Sequence, residues 1–243
     1  MVVVCIVQAR IGSTRLPGKI LKKICGKTIL EHDIDRLKRI NNIDKIVIAT
    51  TTLEKDNVVV EEAKRLGITY FRGSEEDVLS RYYYASKENN ADVVVRVTSD
   101  CPLLDSKVAE QTISYLLDNI DKYDYVNNTL EATFPRGLDT EALTVNSLER
   151  AYNEAKVPRE REHVTPYIYT NRNKFRLGCF KNKVDYSSYR WTLDTQEDFE
   201  FISIIYDRLY KVNPNFNMED IIKLLEIEPE LAKINENIVQ KSI

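Results

Sequence analysis

Between Met1 and Leu30 the chain carries six cations, Arg10, Arg15, Lys19, Lys22, Lys23 and Lys27, and not one carboxylate. They concentrate in Gln8-Ala9-Arg10-Ile11-Gly12-Ser13-Thr14-Arg15-Leu16-Pro17-Gly18-Lys19. Gly12 and Gly18 let the backbone come close to a ligand, Ser13 and Thr14 add hydroxyl donors, and Arg10, Arg15 and Lys19 supply charge for phosphate oxygens. That is the chemistry of polyphosphate binding, set against the plainer reading of a solvated basic loop. Two familiar phosphate motifs fail on spacing. Gly12 and Gly18 enclose five residues where the Walker loop has four, Ile20 follows Lys19 in place of Ser or Thr, and no G-x-G-x-x-G occurs.

Two carboxylates complete the pattern. Asp100 follows a valine-rich run and precedes Pro102, so the backbone turns just beyond it. Asp194 lies in Trp191-Thr192-Leu193-Asp194-Thr195-Gln196-Glu197-Asp198, between an expected strand and an expected helix. Two hard oxygen ligands at strand ends suit Mg²⁺, which takes a couple of carboxylates and fills its other positions with phosphate oxygens and water. For Asp194 a helix N-cap is the competing reading.

The elements that must position these residues follow from hydrophobic periodicity. Apolar β-branched runs alternate with segments of helical period, which predicts an α/β fold with a mostly parallel sheet covered by helices. Strands are expected at 2–7, 45–51, 68–71, 92–98, 124–127, 139–145, 175–180 and 190–193. Helices are expected at about 29–40, 56–66, 75–89, 107–120, 148–155, 160–171, 195–209 and from Met218 onward. The cationic loop then leaves the C-terminal end of the first strand, where open α/β sheets place their ligands. One domain over 1–243 is expected, with about 128–190 as a small subdomain at one sheet edge.

Composition narrows the function classes. The 243 residues hold 35 Lys plus Arg against 38 Asp plus Glu, a net charge of −3, which argues against a nucleic-acid binder. The apolar run at 2–7 is too short for a membrane span and leads into Gln8 and Arg10, so neither a signal peptide nor a membrane partner is expected. Cys5, Cys25, Cys101 and Cys179 lie far apart, and with only His32 and His163 no zinc spacing arises. A reduced, cytoplasmic setting is expected.

The stretch Q-A-R-x-G-S-T-R-L-P-G-K-x-L over 8–21 resembles the opening motif of the CMP-sugar synthetases, the CTP-dependent cytidylyltransferases that activate acidic sugars such as KDO. The SpsF-type proteins of spore-coat and surface polysaccharide synthesis are the most similar subgroup. Arg96-Val97-Thr98-Ser99-Asp100-Cys101-Pro102-Leu103-Leu104-Asp105 and Phe134-Pro135-Arg136-Gly137-Leu138-Asp139-Thr140-Glu141 resemble theirs. The resemblance runs to about residue 205. It implies a GT-A-like nucleotide-binding fold, Mg²⁺ dependence, a homodimer, and attack by a sugar hydroxyl on the α-phosphate of CTP with loss of pyrophosphate. Asp100 and Asp194 match the family's metal aspartates, although Ser99 stands where the KDO-type enzymes have Gly and Gln196 where they have Pro.

On this resemblance Ala9, Arg10, Gly12 and Ser13 contact the nucleotide, Arg15 and Lys19 hold the β and γ phosphates, and Asp100 serves catalysis and the metal. Arg72 and Ser74 are candidates for the base, with a surface turn capped by Ser74 as the equal alternative. In the expected acceptor subdomain, Arg136 can pair with an acceptor carboxylate and Asp139 or Glu141 can accept hydrogen bonds from sugar hydroxyls. His163 reads equally as a site residue and as a structural histidine. No side-chain base is evident. A GT-A glycosyltransferase and a non-catalytic nucleotide-binding subunit are the competing functions; the first lacks its usual Asp-x-Asp, and no motif here is visibly broken.

Overall fold

The computed structural model describes residues 1–239, so the last four residues of the expected 1–243 domain lie outside it. In order the elements are β1 (Val3–Gln8), β2 (Lys23–Ile24), β3 (Lys27–Thr28), α1 (Ile29–Leu37), β4 (Lys45–Thr51), α2 (Asn57–Arg65), β5 (Thr69–Gly73), α3 (Val78–Glu88), β6 (Val93–Thr98) and α4 (Ser106–Leu117). There follow β7 (Tyr125–Asn127), β8 (Glu141–Thr144), α5 (Val145–Glu154), α6 (Pro158–His163), α7 (Pro166–Thr170), β9 (Leu177–Cys179), α8 (Gln196–Leu209) and α9 (Met218–Ile227).

The sheet has seven strands in the order β5-β4-β1-β6-β8-β7-β9. β1 pairs in parallel with β4 and β6, and β8 runs antiparallel to both of its neighbours. Alternation in β1 sorts its side chains to the two faces. Val3, Cys5 and Val7 pack with Leu30, Ile34, Ala63 and Ile113 of α1, α2 and α4, whereas Val4 and Ile6 pack with Leu79, Tyr82 and Leu148 of α3 and α5. With both faces buried, the strand reads as an unbroken apolar run, which is why it was visible in the sequence. A third apolar cluster joins α8 and α9 to Trp191 and Leu193.

Three local features depart from the sequence expectation. The stretch before α1 contains a small hairpin, β2–β3, whose two turn residues Cys25 and Gly26 both have positive φ, the geometry a two-residue hairpin requires. The helix expected over 160–171 breaks into α6 and α7. Pro166 has no N–H to continue the helix and instead opens α7 at its first turn, and the buried Val164 takes up the bend at φ 73°. The expected strand at 190–193 forms only an isolated bridge, Arg136 with Arg190. Its backbone bonds are divided: Trp191 N donates to Arg136 O at 2.7 Å and Leu193 N to Asp100 O at 2.8 Å, so no single ladder can form. That division carries Asp194 to the end of β6.

Candidate active site

The cationic loop is fixed to the sheet by a buried carboxylate. Asp56 accepts from Ile11 N at 2.7 Å and from the Thr51 hydroxyl at the end of β4. Ala9 N donates to Ala49 O at 3.1 Å, and Ser13 Oγ accepts from Leu16 N at 3.3 Å. The loop then enters a 3-10 turn at Lys19–Leu21, which turns Lys19 inward.

Lys19 is where the two halves of the sequence pattern meet. Its Nζ donates to Asp100 Oδ2 at 2.7 Å, Asp194 Oδ1 at 2.8 Å and Leu193 O at 2.6 Å. Asp194 also pairs with Arg15 at 2.8 Å and Arg190 at 3.0 Å. Burial works to raise the Asp194 carboxyl, but Lys19, Arg15 and Arg190 outweigh it and hold it below the ordinary range. Burial likewise lowers the Lys19 ammonium, and the two aspartates more than reverse this.

The cap of α8 is Thr195, whose Oγ1 accepts from Asp198 N at 3.3 Å. Asp194 is thereby left to face the cations. Asp198 is a fully buried hub: it accepts from Arg190 Nε at 2.9 Å, Asp194 N at 2.9 Å, Thr195 N at 3.0 Å and Asn235 Nδ2 at 2.9 Å. Five donors on one carboxylate, counting the second Arg190 contact at 3.0 Å, fix the segment that carries Asp194.

A cavity of about 640 Å³ runs along the strand ends and is lined by Ala9, Arg10, Gly12, Ser13, Arg15, Lys19, Asp100 and Asp194. A second cavity, of about 570 Å³, is lined by Asn127, Phe134, Glu141 and Tyr189 among others. Arg96, Thr98, Arg136, Asp139 and His163 line both, so the two form one cleft. The junction depends on Gly137, which has φ 106° and where a Cβ would lie 2.7 Å from Thr192 N. Only glycine lets the 136–139 turn press against Trp191 and Thr192. Arg136 forms no ion pair among the described residues. Burial raises the Asp139 carboxyl, and Arg136 offsets this only in part. Burial lowers the His163 imidazole.

The remaining candidates are held by protein partners. Glu141 pairs with Arg96, its register partner across β6 and β8, and accepts from Tyr125 OH at 2.6 Å. Arg72 donates to Thr51 O at 2.8 Å, Asn57 Oδ1 at 2.8 Å and Leu53 O at 3.0 Å. Ser74 Oγ accepts from Asp77 N at 3.1 Å. Neither Arg72 nor Ser74 lines the cleft. Sequence reasoning overlooked Asp56, Arg81, Arg190 and Asp198. For Asp198 a signal was present, the T-x-x-D spacing of a capping box.

As for a metal, no group of three or more His, Cys, Asp or Glu gathers among the described residues. The site offers two hard carboxylates that converge on one cation, Lys19 Nζ; the sulfur beside them, Cys101 Sγ at 3.7 Å from Asp100 Oδ1, is a buried thiol whose pKa burial raises, a poor ligand. That donor set fits Mg²⁺ sharing its coordination with phosphate and water.

A cationic loop facing two aspartates across the strand ends of an α/β sheet is the arrangement of a nucleotidyltransferase. The family profile described as Cytidylyltransferase matches residues 4–236, and the chain belongs to that family. It is 36% identical to a solved cytidylyltransferase from Leptospira borgpetersenii serovar Hardjo-bovis, with a TM-score of 0.92 over 100% of both chains. It is 31% identical to the spore coat polysaccharide biosynthesis protein SpsF of Bacillus subtilis, over 93% of this chain and 95% of that one. A 3-deoxy-manno-octulosonate cytidylyltransferase of Chlamydia trachomatis is 28% identical over 82% of this chain and 80% of its own. No helix among the described residues is long and apolar enough to cross a membrane.

Proposed function

We propose that this cytidylyltransferase joins CMP from CTP to a hydroxyl of a sugar or sugar acid, for the synthesis of a surface polysaccharide or glycan. The acceptor oxygen forms a bond to the α-phosphorus, the bond to the β-phosphate oxygen breaks, and pyrophosphate leaves. The observation that carries this reading is Lys19 held between Asp100 and Asp194 beside Arg15. Cations gathered on carboxylates in the free protein can pass to the triphosphate when it enters.

In this reading Asp100 and Asp194 would hold Mg²⁺, which when bound neutralises phosphate charge and acidifies the attacking hydroxyl. Arg15 and Lys19 grip the β and γ phosphates, and Ala9, Arg10, Gly12 and Ser13 line the nucleotide's path. The acceptor enters the second cavity, where Arg136, without an ion pair among the described residues, meets its anionic group and Glu141 and His163 border its hydroxyls. Asp139 stands at the junction with a carboxyl of raised pKa, and takes the proton the hydroxyl loses. The enzyme acts in the cytoplasm as a homodimer, as the family resemblance implies.

The test is pyrophosphate release by the pure protein with Mg²⁺, CTP and a panel of acidic and neutral sugars that includes 3-deoxy-manno-octulosonate. Acceptor-dependent release is expected. No release across the panel, together with no calorimetric binding of CTP, overturns the proposal.

A further inference from the structure

We infer, on the reading that the second cavity takes the acceptor, that the segment following α9 forms part of that site and that Glu236 is its specificity residue, receiving hydroxyl or amino donors of the acceptor. The segment is built by a break in helix. α9 stops at Ile227, Pro229 has no N–H with which to continue it, and the chain tightens into a 3-10 turn over Pro229–Ile234. Leu231 sinks into the apolar cluster of Trp191 and Leu193, and Ala232 and Ile234 pack against it. The turn is thereby seated against α8 and α9.

Asn235 then fixes the course of the chain. It is 3% exposed, and its Nδ2 donates to Arg190 O and to Asp198 Oδ1, both at 2.9 Å. Both amide protons are used, which sets the orientation of the side chain. Ile238 N donates to Asn235 O at 3.1 Å, and this turn sets Glu236 and Ile238 on the wall of the second cavity beside Ser187, Ser188 and Tyr189. A buried anchor at Asn235 thus holds an exposed carboxylate at Glu236. Four contacts keep Asp198 in place without Asn235, so loss of the amide falls on 236–238 rather than on Asp194.

The other carboxylates of that cavity are engaged. Glu141 is taken up by Arg96 and Tyr125, and Asp139 accepts from Gly137 N at 3.3 Å. The Glu236 carboxylate forms neither a hydrogen bond nor an ion pair among the described residues, so both of its oxygens are open. A carboxylate accepts hydrogen bonds and gives none. It therefore favours hydroxyl or amino groups and disfavours a second acidic group, while Arg136 in the same cavity meets the first. Ile238 offers apolar surface to the C–H face of a ring. The acceptor so selected has one acidic group and several hydroxyl or amino groups.

Steady-state pyrophosphate release by the full chain and its Glu236→Ala, Glu236→Gln and Asn235→Ala variants tests this, with Mg²⁺, CTP and the sugar of the panel that the unaltered chain turns over fastest. Glu236→Ala should raise the KM for that sugar by about tenfold, and Glu236→Gln, which keeps one accepting oxygen, should raise it less. Both should leave the KM for CTP and the ligand-free melting temperature where they are. Asn235→Ala should melt lower, raise the KM for the sugar as much as Glu236→Ala does, and keep the KM for CTP. A sugar KM unmoved by Glu236→Ala overturns the inference while leaving the proposed function intact. Equal rises in both KM values for Asn235→Ala would make the segment a prop for Asp194, and would overturn it too. If no sugar of the panel releases pyrophosphate from the unaltered chain, the proposed function falls and this inference with it.

Discussion

At the end of the cleft nearest α8, Lys19, Arg15 and Arg190 all bear on Asp194, whereas at the junction with the second cavity Arg136 pairs with nothing among the described residues. The paired end is assembled before any ligand arrives: each charge has a counter-charge, and Asp198 anchors the segment from behind. The junction is fixed in its backbone, through Gly137 pressed on Trp191 and Thr192, and at Arg96, which pairs with Glu141, while Arg136 and Asp139 line the cleft without an ion pair among the described residues. Preformed pairing suits groups that must stay aligned through phosphoryl transfer. An unpaired guanidinium and a carboxyl of raised pKa suit recognition of a partner that brings its own charge and proton.

Asp194→Ala should break the paired end most severely. It removes a proposed metal ligand and leaves three cations without their shared carboxylate. Turnover is expected to fall by about 10³-fold, and urea denaturation should show a loss of about 3 kcal/mol. Retained turnover would separate Asp194 from the chemistry.

Asp139→Asn should act on the junction with opposite signs for rate and stability. Pyrophosphate release should fall by about 10²-fold. Because the folded carboxyl titrates above its unfolded value, the stability it contributes is present below the unfolded pKa and lost as pH rises through the folded one. Asparagine removes that loss, so the ligand-free variant should melt higher at pH 7. In the parent enzyme the rate should climb with pH as Asp139 ionises, and a flat profile would count against its role as base.

Arg136→Ala should raise the acceptor KM by about tenfold, as loss of one charge-assisted contact does. CTP affinity should stay within about twofold and stability within about 0.5 kcal/mol, since no ion pair is lost. A large loss of stability would show that the side chain serves the fold. The smallest effect on nucleotide binding is expected from Arg72→Ala. It should cost about 1 kcal/mol through three lost hydrogen bonds around Leu53 and leave CTP affinity within about twofold, as calorimetry would show.

The sequence disclosed the triphosphate end better than anything else, for a physical reason. β1, β4 and β6 are buried on both faces, so their apolar runs are plain, and residues directly beyond them are bound to share one edge of a parallel sheet. The loop after β1 and Asp100 after β6 could be placed together from that alone, whereas Asp194 follows 190–193, which forms no strand of the sheet, and is linked to them by the family resemblance. Which way a turn residue points could not be read. Arg72 and Ser74 lie in the expected neighbourhood, but their side chains turn to the 51–57 loop and the start of α3. Contacts such as Ile11 with Asp56, 45 residues apart, or Arg190 with Asn235, also 45 apart, leave no local trace. Arg81 adjoins three consecutive tyrosines, so its burial was hidden among residues that suggest a helix face.

The most direct test is the affinity of the unaltered chain for CTP, measured by calorimetry with Mg²⁺ and again with excess chelator, beside Asp100→Ala under the same conditions. The account predicts that Mg²⁺ strengthens binding by at least about tenfold in the parent and makes no difference once Asp100 is gone. Equal affinity with and without the ion in the parent, or an unchanged response in the variant, would contradict it.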